Sequence, residues 1–272
     1  CHEGYQVGRL KMRCHAHTSP ADLRFAIATS CNAYFCWGLK NMIDRRSKYG
    51  SCSNAFEIWK NYMVEMGYGY KLGIDLPSES RGFIPNSKFY NKIYGENRWS
   101  ANTIISIAIG QGEILATPLQ IANLAATIAN RGYYITPHVV KEIADTVIAE
   151  EYKVQHHPSI NKAYYEEIAE GMRMAVVGGT CRVAQFGDVE VCGKTGTAQN
   201  PHGRDHSAFM GFAPMNNPKI AICVYVENAG FGATYGVPIG SLMMEMYLNG
   251  EISPQRKYLE ERMLNSNTII YS

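Results

Sequence analysis

The sequence lacks several features that would assign it to a simple functional class. Its 272 residues contain no apolar run near the roughly 18 residues that a membrane-spanning helix needs. No signal-peptide pattern opens it, and no internal repeat or low-complexity segment occurs. Runs of five or six basic residues are also missing, and the formal net charge is only +2. We therefore expect no electrostatic binding of nucleic acid.

The first residues do not resemble the edge of a domain. Cys1 is followed directly by His2 and Glu3, with no initiator methionine, cap or turn signal. We expect a chain that is cut inside a domain. The lack of a membrane anchor here therefore does not describe the parent protein.

The composition suits a folded protein with a sizeable core. Apolar residues make up 46% of the chain and charged residues 18%, which fits one large domain or two modest ones. The eight cysteines are compatible with disulfides, but a chain of this length does not need such crosslinks. Cys192 and Cys223 lie in apolar runs and are interpreted as small core residues.

Helix signals dominate the first two thirds of the chain and return near its end. A cap with proline at the first helical position starts a predicted helix at Ser19 and Pro20, and a capping box starts another at Thr117. Apolar periodicity predicts the remaining helices. They cover residues 54–66, 161–177 and about 239–248.

Strand signals follow in the last third. Short runs rich in β-branched residues, separated by Gly, Pro and Asn, predict strands at residues 189–192, 207–212 and 220–226. The polar segment 76–98 is expected to be irregular surface. Helices, then hairpin-linked strands, then a further helix predict an α+β fold with an antiparallel sheet packed against helices.

The sharpest chemical motif is Lys194-Thr195-Gly196-Thr197, predicted to follow the strand at 189–192. A substrate backbone could lie along such a strand as an added antiparallel strand. The threonine hydroxyls could donate to a carboxylate, and Lys194 supplies positive charge. The alternative is an ordinary hairpin turn.

A second motif, Ser30-Cys31-Asn32, ends the first predicted helix. Ser30 could transfer a proton and Asn32 could hold a substrate amide. Small polar residues at a helix end are also common as simple caps or turns.

Together the two motifs match an established order. Ser-x-x-Lys, then Ser-x-Asn, then Lys-Thr-Gly is the signature of serine β-lactamases and penicillin-binding proteins. The chain resembles transpeptidases of the penicillin-binding protein 2 type from about Cys1 to Leu248. The resemblance rests on separated motifs that occur in sequence order, at residues 29–35, 73–79, 109–120, 194–199 and 211–214.

The resemblance implies a D,D-transpeptidase that cross-links peptidoglycan stem peptides through a serine acyl-enzyme and is a target of β-lactams. Ser30 and Asn32 match the second motif, and Lys194 matches the third-motif base partner. Thr195, Gly196 and Thr197 match the residues that hold the terminal carboxylate. The Thr197 N–H would form half of the oxyanion hole.

The resemblance also implies a setting. It predicts the penicillin-recognising fold, with an antiparallel sheet, a mainly helical subdomain and a cleft between sheet and helices. One transpeptidase domain would cover residues 1–272, truncated at its N-terminus, with 251–272 as a C-terminal tail. The parent would act at the periplasmic face of the bacterial inner membrane with membrane proteins of the elongation machinery.

The chain departs from the pattern at the nucleophile. Residues 1–29 contain no Ser-x-x-Lys, and the one match, at residues 159–162, follows the second motif and opens a polar helix. We interpret Ser159 as a helix cap. The nucleophilic serine and its lysine are expected upstream of Cys1, in which case this fragment cannot be acylated.

Cysteine and histidine cluster near the start of the chain, with spacing that suits tetrahedral zinc. Some penicillin-binding protein 2 enzymes carry zinc between the first two motifs, and this chain is similar to them. The candidate ligands of a structural zinc are Cys1, Cys14, His17 and Cys31, with His15 as a substitute. The alternatives are a disulfide, or buried thiols with surface histidines.

Two other functions remain open on the sequence. The same fold could serve a β-lactamase or a β-lactam sensor, although the motif at 109–113 and the long segment 76–98 favour the transpeptidase. From a different class, the chain could be a non-catalytic binding or zinc-stabilised scaffold module that keeps only the cleft.

Overall fold

The computed structural model describes residues 3–144 and 146–267, and it confirms the α+β class. The chain divides into two compact units. The first comprises residues 3–20, 31–127 and 132–161, and the second comprises residues 21–30, 128–131 and 162–267. Within the described ranges, no helix combines the length and apolar character that crossing a membrane requires.

The first unit is mainly helical. Its two short antiparallel pairs are β1 (Gly4–Val7) with β2 (Leu10–Arg13), and β3 (Tyr134–Ile135) with β4 (Gln155–His156). Its helices are α2 (Asn32–Ile43), α3 (Arg46–Tyr49), α4 (Cys52–Glu65), α5 (Ser87–Tyr94) and most of α6 (Pro118–Ala129). A 3₁₀ helix spans Ile105–Ile109.

The second unit contains the sheet. Strands β5 (Cys192–Ala198), β6 (His206–Ala213) and β7 (Ile220–Val226) form an antiparallel sheet in that order, with Lys194 opposite Met210 and Thr195 opposite Phe209. Helix α1 (Leu23–Thr29) packs on α7 (Lys162–Val177), and α7 packs on β5. Helix α8 (Gly236–Asn249) covers β6 and β7, and α9 (Lys257–Leu264) packs on α8.

Several sequence predictions of helices are confirmed. The capping box forms as expected: Gln120 N donates to Thr117 Oγ1 at 3.1 Å, and Thr117 N donates to Gln120 Oε1 at 3.0 Å. The helices predicted at 54–66, 161–177 and 239–248 correspond to α4, α7 and α8. Cys192 is fully buried, whereas Cys223 is only half-buried.

Three predictions of local structure are wrong. The cap of α1 is Asp22, whose Oδ1 accepts from Phe25 N at 2.8 Å, and not Ser19. Residues 76–98 include helix α5, which begins where Asn86 Oδ1 accepts from Phe89 N and which buries Tyr90. The strand predicted at 189–192 begins only at Cys192.

The core of the second unit is built around Phe209, which is 1% exposed. Glycines surround its ring. A Cβ at Gly193 would lie 2.6 Å from the ring, and a Cβ at Gly211 would lie 2.7 Å from it. Gly240 on α8 is equally close, since a Cβ there would lie 2.5 Å from the ring. Without these side chains, the sheet and α8 can pack directly on one aromatic ring.

Glycines also permit α1 to approach α7 closely. A Cβ at Gly171 would lie 2.9 Å from Ile27 Cβ. A Cβ at Gly179 would overlap Ala28 O and lie 2.7 Å from Ala175 Cα. The second clash is with backbone atoms, which cannot move aside as a flexible side chain can.

Neighbouring glycines allow a direct test of this packing. We expect Gly179→Ala to lower the free energy of unfolding by about 1–3 kcal/mol, the usual effect of overpacking. The control is Gly178→Ala, because a Cβ at Gly178 meets no atom within 4 Å; its effect should stay within about 0.5 kcal/mol. Urea unfolding of both variants measures the difference. Equal stabilities would contradict the close approach of α1 and α7.

Candidate active site

Lys194 lies inside β5, where its ammonium has two hydrogen-bond acceptors. Nζ donates to Ser30 Oγ at 2.8 Å and to Thr195 O at 2.8 Å. Across residues 3–144 and 146–267, no acidic side chain forms a salt bridge with it. The positive charge is therefore held by neutral oxygens alone.

Burial lowers the pKa of Lys194, because removal from water disfavours the charged ammonium. The nearby Cys181 acts in the opposite direction, as a weaker influence. The residue as a whole is half-buried. A lowered pKa increases the fraction of neutral amine at a given pH. This suits Lys194 to exchange a proton with the Ser30 hydroxyl.

The C-terminal end of α1 places Ser30 next to Lys194. It closes the helix in the left-handed conformation, with φ 56° and ψ 49°, and its N–H donates to Ala26 O and Ile27 O. Glycine usually occupies this position, and a residue with a Cβ costs of order 1 kcal/mol here. The hydroxyl is thus placed by a conformation that the sequence adopts at some cost in stability.

The rest of the motif lies along the outer strand of the sheet. Thr195 Oγ1 donates to Thr180 Oγ1 at 2.9 Å, and Gly232 N donates to Thr197 Oγ1 at 3.3 Å. A Cβ at Gly196 would approach Ala208 Cβ to 3.2 Å. Among the strands that the structure describes, β5 pairs only with β6. Its other edge can therefore accept an extended peptide as an added strand.

Asn32 belongs to the other unit. It is the first residue of α2, and its Nδ2 donates to Arg13 O at 2.7 Å, at the end of β2. The structure therefore groups Ser30, Lys194 and Thr195 within the second unit and places Asn32 in the first. The roles that the sequence predicts for these residues stay predictions.

Three of the predicted metal ligands do meet in the first unit. Donor atoms of Cys14, His17 and Cys31 all lie within 4.8 Å of one another. Cys1 lies outside the described residues, and His15 is not in this cluster. The Sγ atoms of Cys14 and Cys31 are 3.9 Å apart, too far for a disulfide, and all seven described cysteines are free.

The donor set fits zinc. Two sulfurs bound tetrahedrally at about 2.3 Å lie about 3.8 Å apart, close to the observed separation. His17 Nδ1 hydrogen-bonds with Thr18 O at 2.7 Å, an interaction that directs the other ring nitrogen of a histidine to a metal. Burial raises the pKa of Cys31, so a bound cation is needed to keep it as a thiolate at neutral pH.

Sequence analysis missed the residues behind the strand. Thr180 contacts Thr195, and the backbone of Thr195 hydrogen-bonds to the Cys181 sulfur. Burial raises the pKa of Cys181 to about 11, so it is a neutral thiol. Gly178 and Gly179 precede Thr180, and in the sequence they indicate only the end of α7. No local pattern pairs this turn with the distant β5.

The Lys194 pKa can be measured directly. We expect the ¹³Cε resonance of Lys194 to titrate below the ordinary 10.5, whereas exposed Lys257, paired with Glu260, titrates above it. At a pH between the lowered pKa of Lys194 in the folded protein and its ordinary pKa in the unfolded chain, only the unfolded chain carries this proton. The free energy of unfolding should therefore rise with pH across that window. An ordinary pKa for Lys194 would contradict the burial of its ammonium.

Comparison with known proteins identifies the family. Residues 1–245 match the model of the penicillin binding protein transpeptidase domain. The chain is 34% identical over 260 residues to the peptidoglycan D,D-transpeptidase MrdA of Haemophilus influenzae, covering 87% of this chain and 38% of that protein. MrdA of Acinetobacter baumannii is 34% identical over 234 residues, covering 78% of this chain and 32% of that protein.

Solved structures agree. PBP2 of Pseudomonas aeruginosa, in complex with WCK 5153, superposes with a TM-score of 0.76 at 28% identity, covering 93% of this chain and 54% of that one. PBP2 of Helicobacter pylori, in complex with MreC, superposes with a TM-score of 0.71 at 28% identity. The match covers 91% of this chain and 44% of that one. The chain thus spans 32–38% of the length of the two MrdA proteins, while 78–87% of the chain matches them and more than 90% of it matches these structures. It belongs to the penicillin binding protein transpeptidase domain family, and its similarity is to the PBP2/MrdA branch.

Proposed function

We propose that the protein containing this chain is a peptidoglycan D,D-transpeptidase that forms a serine acyl-enzyme. The observation that carries the proposal is the 2.8 Å hydrogen bond between Lys194 Nζ and Ser30 Oγ at the strand that bears the Lys-Thr-Gly motif. An ammonium with a lowered pKa beside a hydroxyl is an arrangement for moving protons during acyl transfer.

The substrate would lie along the outer edge of β5. The hydroxyls of Thr195 and Thr197 would hold the terminal carboxylate of a stem peptide or of a β-lactam. The nucleophile attacks the carbonyl of the penultimate D-Ala, and its proton passes through the Ser30 and Lys194 pair toward the departing D-Ala amine. The amine of a second stem peptide then attacks the ester carbonyl and forms the new amide. The ester bond breaks, and a proton from the amine passes to the departing serine oxygen, which regenerates the serine.

The nucleophile would come from residues encoded before Cys1. The one Ser-x-x-Lys of this chain is engaged elsewhere, because both Ser159 N and Ser159 Oγ donate to Glu65 Oε2, at 2.7 and 2.6 Å. Lys162 is the first residue of α7. Under this proposal residues 1–272 alone are not acylated by penicillin.

We propose that the parent protein acts at the periplasmic face of the inner membrane. The Helicobacter pylori relative was solved with MreC, and another similar structure is a peptidoglycan synthase complex that couples polymerisation and crosslinking. Membrane proteins of the elongation machinery are therefore the proposed partners.

Covalent labelling tests the activity. The parent protein, expressed with the residues encoded upstream of Cys1, should be labelled by a fluorescent penicillin. Lys194→Met should slow labelling by at least about 100-fold, the usual contribution of a proton-transfer group. Lys257→Met is the matched control, since this exposed lysine pairs with Glu260 on α9 and should label at the normal rate.

The result also separates the alternative functions. Labelling followed by rapid release of hydrolysed penicillin would indicate a β-lactamase. Labelling without transfer to an amine acceptor would indicate a sensor. If no upstream Ser-x-x-Lys exists and nothing is labelled, the chain is a binding module and the transpeptidase proposal fails.

We also propose a structural zinc held by Cys14, His17 and Cys31, with Cys1 as a candidate fourth ligand. The zinc would have a structural role, because it would link the turn after β2 to the start of α2. The Cys14 sulfur already accepts from Ala33 N at 3.3 Å, a contact of the kind that orients a ligand sulfur.

Metal analysis tests the zinc proposal without any assay of activity. Protein purified without chelator should carry about one zinc per chain, and Cys14→Ser should lose it and unfold at a lower temperature. Cys223→Ser, on β7 and away from the cluster, should keep the metal. Metal-free wild-type protein that is unaffected by added zinc would overturn the proposal.

A further inference from the structure

The turn that follows α7 contacts both segments of the candidate site. Thr180 N donates to Ala28 O at 3.1 Å, in the last turn of α1. Thr180 Oγ1 accepts from Thr195 Oγ1 at 2.9 Å, on β5. One residue therefore uses its backbone to hold α1 and its side chain to hold β5.

These contacts close a ring with the Lys194 hydrogen bond. Ser30 lies two positions after Ala28 along the chain, and Thr195 directly follows Lys194. Three hydrogen bonds therefore join three segments: Ser30 to Lys194, Thr195 to Thr180, and Thr180 to Ala28. Two of these hydrogen bonds meet at Thr180. They therefore restrict how far Ser30 and Lys194 can move relative to each other.

We propose that Thr180 is a positioning residue, which sets the contact between Ser30 and Lys194 by tying the end of α1 to Thr195. The inference rests on the proposed function only for its catalytic meaning, since the ring itself is a geometric feature. Thr180 acts through Thr195 and Ser30 and need not touch the substrate.

The surroundings make the turn rigid enough for this role. Gly178 N and Gly179 N still bond to α7, at Met174 O and Ala175 O, and Cys181 N returns to Ala175 O at 2.9 Å. Gly179 lets the turn approach Ala28 without a clash. Cys181 is fully buried, and its sulfur receives the backbone hydrogen bond of Thr195. The turn is thus fixed by α7 on one side and by the core on the other.

The sequence offers a matched set of variants. Thr180→Val removes the hydroxyl and keeps the shape, whereas Thr180→Ser keeps the hydroxyl and removes a methyl group. Thr29→Val is the control, because Thr29 Oγ1 donates within α1, to Phe25 O at 2.7 Å, and takes no part in the ring. Thr195→Val breaks the same hydrogen bond from the other side.

The readout is the NMR titration of Lys194 in the chain of residues 1–272. We expect Thr180→Val to move the Lys194 pKa toward its ordinary value by roughly 0.5–1 unit, because a looser contact between Ser30 and Lys194 would give water more access to the ammonium. Thr180→Ser and Thr29→Val should titrate as the wild type does. The double variant with Thr195→Val should show no further shift.

Each outcome decides the proposal. A wild-type titration in Thr180→Val would overturn it, and so would a shift in Thr180→Ser or Thr29→Val as large as the shift in Thr180→Val. If Thr180→Val does not fold, Thr195→Val alone must produce the shift. The titration requires no acylation, so failure of penicillin labelling in the parent protein would remove the transpeptidase proposal and leave this one standing.

Discussion

The close approach of α1 to the end of α7 is the constraint on which the candidate site depends. It requires a glycine at position 179, where any side chain would overlap the carbonyl of Ala28. Once the two helices meet, the left-handed end of α1 can place the Ser30 hydroxyl at 2.8 Å from Lys194. The chemistry of the site therefore begins with packing between backbones and not with charge.

Lys194 shows what that packing supports. Its ammonium is buried against a hydroxyl and a carbonyl, with no salt bridge to an acid in the described part of the chain. Such an arrangement stabilises the neutral amine relative to the charged one and costs folding free energy at neutral pH. Residues that are costly in this way are typical of functional sites, where reactivity is favoured over stability. Ser30 is costly in the same sense, because its left-handed backbone conformation also reduces stability.

Sequence reasoning predicted the parts of this molecule that local signals encode. The capping box at Thr117 and the β-branched run of β7 were identified because their evidence lies within a few residues. Helix α2 was missed because its N-cap, Cys31, makes no side-chain capping hydrogen bond. The strand at β5 was misplaced because Gly193 and Gly196 have low strand propensity. Their lack of side chains is instead required by Phe209 and Ala208 across the sheet.

The site was partly predictable for a similar reason. Lys194 and Ser30 belong to short motifs, whereas Thr180 is joined to them only by contacts across 15 residues or more. No local pattern marks a residue that acts through tertiary hydrogen bonds. The candidate metal ligands were proposed from their spacing, and the structure brings three of them together.

The most direct test of the account is a crystal structure of the parent protein after reaction with benzylpenicillin. We predict an ester bond to a serine encoded upstream of Cys1, with the drug's carboxylate bound to the hydroxyls of Thr195 and Thr197. Lys194 Nζ should remain within hydrogen-bonding distance of Ser30 Oγ. A bound but intact penicillin, or a carboxylate held away from β5, would contradict the assignment of this strand and of the Ser30 and Lys194 pair to acyl transfer.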